Sequence, residues 1–277
     1  MTLAMHPTPT LRSPSSGPIT LWQEALRREP NLVWLALFML LLMLPAGLAL
    51  GLDERTLRGV NVWVKPMKFM AALALFSAST AWFIGLLPEA RRRARPVRAV
   101  VWTLVVAGVL EVGYICLQAA LGQASHYNRA DALHIALYQS MGALAMALMS
   151  TQLVLAWQIA RHGRTDLNPT WRAAVVLGLV MTFVLGVAAA VPLASVQPPS
   201  GAGLWVVGWH LGGADLRPAH FIGSHAQQFV PLAGWLLVRM WPRRAGVGLV
   251  VFAVGYTLLW LAAMQMGLRG AVFAPPV

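Results

Sequence analysis

The sequence predicts an all-α fold: a polytopic transmembrane helix bundle of seven spans, N-terminus inside and C-terminus outside. Three observations predict it. The 277 residues are 58% hydrophobic and only 11% charged, where a soluble domain carries about 25% charged residues. Apolar runs of about 20 residues recur along the chain, matching a hydrocarbon core of about 30 Å. The runs lack the period-two alternation of a transmembrane β-barrel. A net charge of +12 does not argue for a nucleic-acid partner, because the arginines gather in short links between apolar runs. The lipid bilayer is the partner this pattern predicts.

Residues 1–19, rich in Pro, Ser and Thr, read as a disordered cytoplasmic tail. Thr20 and Gln23 have capping-box spacing, and 20–29 reads as an interfacial amphipathic helix. The seven-helix domain fills 30–277. Its spans are expected at about 30–51, 66–88, 98–121, 131–160, 169–193, 218–241 and 246–267. Pro30, Pro66, Pro169 and Pro218 each suit a first helical turn, where the missing N–H costs nothing. Asn168 reads as an N-cap, and Asn128 and Asp131 have capping-box-like spacing. Gly142, Ala143, Ala145 and Ala147 on the fourth span, and Gly178 and Gly186 on the fifth, read as small-residue strips that let helices approach closely.

Orientation follows from Lys and Arg. Fourteen lie on one side: Arg12, Arg27, Arg28, Arg91, Arg92, Arg93, Arg95, Arg98, Arg161, Arg164, Arg172, Arg239, Arg243 and Arg244. Seven lie on the other: Arg55, Arg58, Lys65, Lys68, Arg129, Arg217 and Arg269. The richer side belongs in the cytoplasm. The first span follows a long polar segment and is expected to remain as a helix rather than be cleaved as a signal. Cys116 stands alone within an apolar run and reads as a small core side chain. The outer link at about 194–217 is long, and Trp205 and Trp209 suit it to an interfacial lid.

The outer side also carries varied polar residues. Glu111 lies mid-way along the third span, where a carboxyl must face the bundle. It is a candidate proton carrier or general acid/base, or simply a neutral carboxyl bonded to a neighbour. Gln118, two turns on, shares its face. Lys65 and Lys68 bracket Pro66 at the outer start of the second span. Asp215 and Arg217 hold the equivalent place before the sixth. These four and Gln118 are candidate ligand-binding residues, with snorkelling and helix capping as the plainer readings. His134, His220, His225 and His126 are candidate metal ligands. His134 and His225 at matched depth would suit a metal ion or b-type haem, and plain bonds to loop carbonyls are the alternative. Ser125 and Ser224 each precede a histidine, and adjacency alone is no nucleophile–base arrangement. P-loop, GxGxxG, CxxC, HExxH and GxSxG motifs are absent.

WVKPMKF, EVGYICLQAALGQASHYN and GADLRPAHFIGSHAQQ resemble stretches of an uncharacterised family of bacterial seven-helix integral membrane proteins. The resemblance covers most of 55–235. It implies a multi-pass protein of the bacterial inner membrane and no particular activity. The Ser, Asp and His content resembles intramembrane hydrolases of the alkaline ceramidase type in composition only. Their His-x-x-x-His spacing is missing, since His220 and His225 are one residue too far apart. Two functions remain open at this stage. One is a His/Glu/Lys pocket holding a metal ion or haem for hydrolytic or redox chemistry. The other is a non-catalytic transporter or sensor of a small anionic or amphipathic ligand.

Overall fold

The computed structural model describes residues 20–201, 203–204 and 208–272. Both the expected tail at 1–19 and Trp205 lie outside them. The described helices are α1 (Leu21–Arg28), α2 (Pro30–Leu52), α3 (Val64–Ile84), α4 (Glu89–Arg92), α5 (Arg95–Ala120), α6 (Ala132–His162), α7 (Pro169–Leu193), α8 (Arg217–Ser224), α9 (Ala226–Met240) and α10 (Ala245–Leu268). A hairpin of β1 (Thr56–Leu57) and β2 (Val60–Asn61) joins α2 to α3. Six helices, α2, α3, α5, α6, α7 and the one ending at Leu268, are long and apolar enough to cross a membrane.

Local chemistry sets several boundaries. The capping box of α1 forms, with the Gln23 N–H donating to Thr20 Oγ1 at 3.2 Å and the Thr20 N–H to Gln23 Oε1 at 3.1 Å. Asn168 caps α7 through the N–H groups of Thr170 and Trp171. At α6 the cap is Asp131 alone, which accepts the His134 N–H at 2.9 Å. Asn128 instead accepts from Ala130 within the preceding turn.

The sixth expected span is not one helix. The chain turns out of helical geometry at His225 (φ −98°, ψ 7°), and α8 and α9 meet there. A break in an apolar setting frees backbone groups that water cannot satisfy. Neighbouring helices supply the partners. The Tyr256 hydroxyl donates to the Ile222 carbonyl at 2.5 Å, and the Gln227 N–H donates to Thr182 Oγ1 at 2.7 Å.

One hydrophobic core joins α2, α3, α5, α6 and α7, and a second joins α7 to α8, α9 and α10. Helix α7 is thus shared by both. Glycines make the close approach possible. A Cβ on Gly223 would stand 2.6 Å from the Gly186 nitrogen, and one on Gly178 would stand 2.8 Å from Pro231. Lipid-side residues such as Leu44, Leu48, Val247, Val251 and Leu258 are exposed, which fits a hydrocarbon surround.

The two ends of the bundle are tied differently. At the arginine-rich end the Arg164 N–H reaches the Leu86 carbonyl at 2.9 Å. Arg92 donates to the carbonyls of Leu87 and Gly85, and Arg98 pairs with buried Glu29 at 2.8 Å. Arg28 lies over the Trp82 ring and donates to its carbonyl, fixing α1 against α3. At the other end the hairpin docks on the 194–216 link. Its turn places Arg58 and Gly59 at positive φ (56° and 80°). The Gly201 N–H donates to the Arg58 carbonyl at 2.8 Å, and a Gly59 Cβ would meet Gly201 Cα at 3.2 Å.

Candidate functional site

The polar end gathers residues from five segments. Helix α3 brings Lys65 and Lys68, α5 brings Glu111 and Gln118, and the 121–131 link brings Ser125, His126 and Tyr127. Asp215 and Arg217 come from the last long link and the start of α8. Lys65 lies within electrostatic reach of Lys68, Glu111 and Arg217, and Lys68 within reach of Arg217 and Asp215. Three cations and two carboxyls therefore share one region.

Asp215 is the anchor. It is 1% exposed and accepts from the main chain of His210 (2.8 Å) and Arg217 (3.0 Å). The Arg217 side chain adds a two-pronged bond, Nε to Oδ1 at 2.8 Å and Nη2 to Oδ2 at 2.6 Å. Burial pushes the Asp215 carboxyl up, but these donors outweigh it and hold it below the ordinary carboxylate value. The expected capping role is therefore joined by an ion-pair role.

Glu111 is buried, as a mid-span carboxyl must be, and so is Gln118 on the same face. Glu111 Oε1 and Gln118 Oε1 have no hydrogen-bond partner. The charge acting on Glu111 is that of Lys65. At 1.5 Å per residue Glu111 sits about 13 Å below the Ala120 end of its helix. More unpartnered buried atoms surround the α8–α9 break: both amide atoms of Gln227 and Gln228 Oε1. The Gln228 amide nitrogen donates to Ser79 Oγ on α3 at 3.2 Å.

His220 lies within electrostatic reach of His126 and of His225, while the contacts of His134 are with its own neighbours. His134 is held by Asp131 (2.8 Å) and Gln123 (3.2 Å) at the start of α6. His225 packs against Phe221 in a tilted arrangement, with ring centres 4.2 Å apart and 42° between the ring planes. His220 faces the Gly186 carbonyl at 3.2 Å. His126 packs between the rings of Phe69 and Tyr138. Burial, reinforced by the Lys65 charge, pushes the His126 imidazole down to about 3, so it is neutral near pH 7. Among the described residues no group of three or more His, Cys, Asp or Glu side chains is arranged to hold a metal ion. Matched depth on separate helices was the signal for His134 with His225. Depth carries no information on rotation about the bundle axis.

Sequence reasoning missed a sharper contact. Lys65 Nζ donates to Ser125 Oγ at 2.7 Å, and that oxygen lies 3.4 Å from His126 Nδ1. Ser125 and His126 are both largely enclosed, and Tyr127 beside them adopts φ 58°. The Tyr127 hydroxyl donates to the Leu193 carbonyl, and Tyr138 donates to the Ala194 carbonyl at 2.9 Å. These bonds fasten the serine-bearing link to the end of α7. Lys65 and Ser125 are 60 residues apart, so no local pattern links them.

Two cavities lie beside this region. One, of about 580 Å³, is a wide-open surface groove along the long link, formed by Leu204, Trp209, His210 and neighbours. The other, about 320 Å³, is apolar and lies between α2, α3 and α5, where half-buried Cys116 lines it. Trp209 packs on Phe221 of α8, with ring centres 5.2 Å apart.

Fold and composition together define a multi-pass α-helical membrane protein. No family model, curated protein or solved structure matches the chain.

Proposed function

We propose that the chain crosses a bacterial inner membrane seven times, with α8 and α9 forming one broken crossing, and binds a small anionic or amphipathic ligand at its outer end. The arginine-rich links then lie in the cytoplasm, as the inside-positive bias requires. The observation that carries the ligand reading is the grouping of Lys65, Lys68 and Arg217 in mutual electrostatic reach. Arg217 is matched by Asp215. Among the described residues, these three basic side chains share the region with two carboxyls, Glu111 beside Lys65 and Asp215 within reach of Lys68. An anionic headgroup lowers the cost of keeping these cations away from bulk water.

The broken crossing supports a binding or transport role. Interrupted helices in membranes persist where their backbone is buried in protein or lines a cavity. Metal or haem chemistry has less support, because the histidines point to separate partners. The test is thermal unfolding of the purified protein with inorganic phosphate, with citrate, and with micelles doped with phosphatidic acid. One of these anions raises the Tm, and Lys68→Ala abolishes the rise. No shift with any of them removes the reading.

A further inference from the structure

We infer that Ser125 and Lys65 form a nucleophile–base pair that cleaves a carboxylic ester at the outer membrane face. The inference goes beyond ligand binding and rests on it only for the charge of the substrate. Four observations carry it. The Ser125 hydroxyl and the Lys65 amine meet at 2.7 Å, within the reach a base needs to take a proton from its nucleophile. Ser125 is 4% exposed, which suits a reaction sheltered from bulk water. His126 stands 3.4 Å from the same oxygen, farther than the 2.7 Å of the Lys65 amine, which makes Lys65 the nearer basic partner. Tyr127 holds a left-handed backbone next to the pair, and such strain in a non-glycine residue collects at functional sites.

The chemistry balances with water as the only co-reactant. Reacting from its uncharged amine form, Lys65 Nζ accepts the Ser125 proton while Ser125 Oγ forms a bond to the acyl carbon. Collapse breaks the bond from that carbon to the alcohol oxygen, which departs with the proton from Lys65. Water then attacks the acyl–Ser125 ester, gives a proton to Lys65, and releases the carboxylic acid as Ser125 recovers its proton. Lys68 and Arg217, within reach of Lys65, lie where an anionic group of the substrate would settle. Glu111, whose charge neighbour is Lys65, is a positioning residue for the amine. The substrate class is an ester of an anionic amphiphile, delivered from the lipid phase.

The test uses an uncharged long-chain alkyl fluorophosphonate on the full-length protein in detergent, read by intact mass and peptide mapping. Attack by Ser125 on phosphorus expels fluoride and leaves a stable adduct. The expected result is one adduct, on the peptide holding Ser125. Ser125→Ala forms none, and Ser140→Ala labels as the wild type does. Lys65→Arg keeps a hydrogen-bond donor but supplies no base, so its labelling slows on the order of a hundredfold. An unlabelled wild-type Ser125, an adduct that survives Ser125→Ala, or an undiminished rate in Lys65→Arg each overturns the inference. Because the reagent is neutral, labelling does not depend on the anion site, and the two readings fail separately.

Discussion

Thr182 on α7 accepts the main-chain N–H of Gln227 at 2.7 Å, closing a backbone group that the break between α8 and α9 leaves open. Thr182 is fully buried, so no solvent can replace it. Thr182→Val keeps the shape and removes the acceptor. The expected loss is about 1–3 kcal/mol of stability, the cost of an unsatisfied buried donor. Thr182→Ser retains most of the wild-type Tm, and equal losses for Val and Ser would show that the hydroxyl has no such role.

The glycines of α7 and α9 are expected to divide sharply from those facing outward. A Cβ on Gly234 would stand 2.3 Å from the Ala174 Cβ. Gly234→Ala therefore forces the helices apart, at about 1–3 kcal/mol. Gly142 on α6, expected as part of a close-packing strip, instead faces open space, with nothing within 4 Å of a new Cβ. Gly142→Ala is neutral or stabilises by up to about 1 kcal/mol through helix propensity. Urea or thermal melts of the two variants side by side decide the matter.

Glu29 and Arg98 join the start of α2 to α5 at the arginine-rich end, with Glu29 buried and Arg98 partly exposed. Glu29→Gln leaves the guanidinium without its counter-charge. A fully buried pair loses about 3–5 kcal/mol when halved; partial exposure of Arg98 brings the expectation to about 1–3 kcal/mol. Limited proteolysis then cuts faster in the link before α2. Unchanged cleavage and an unchanged Tm would mean that the pair contributes nothing.

Asp215 makes stability depend on acid. Its carboxyl is held below the ordinary value in the folded protein. The stability it adds is complete above the unfolded value of about 3.9 and fades as pH falls through the lower folded value. Thermal stability of the wild type therefore drops below about pH 4. Asp215→Asn lowers the Tm at neutral pH and flattens part of that drop. The remaining slope belongs to Asp53, Asp131 and Asp166, whose carboxyls are also held low by Arg55, by His134 and by Arg164 respectively. A mutant with the full wild-type acid slope would contradict this assignment.

Much of the site was visible as residue types in one region: Lys65, Lys68, Glu111, Asp215 and Arg217 stand out because ionisable groups are costly in or beside an apolar span. Their pairing was not visible. Glu111 answers to Lys65 on another helix, and His134 answers to Asp131 and Gln123 instead of His225. The His220–His225 spacing assumed one continuous helix, and the break at His225 removes that geometry.

Hydrophobic run length and the placement of arginine determined from the amino acids alone that this is a helical membrane protein, and where six of its apolar helices lie. Those are local properties, set by the cost of leaving a peptide group or a charge in hydrocarbon. Tertiary structure alone decided that α8 and α9 separate, because Thr182 and Tyr256 must be near to accept and donate the freed bonds. It alone brought Lys65 to Ser125, because a contact between distant segments depends on how helices rotate and pack, and side-chain spacing along one helix does not encode that.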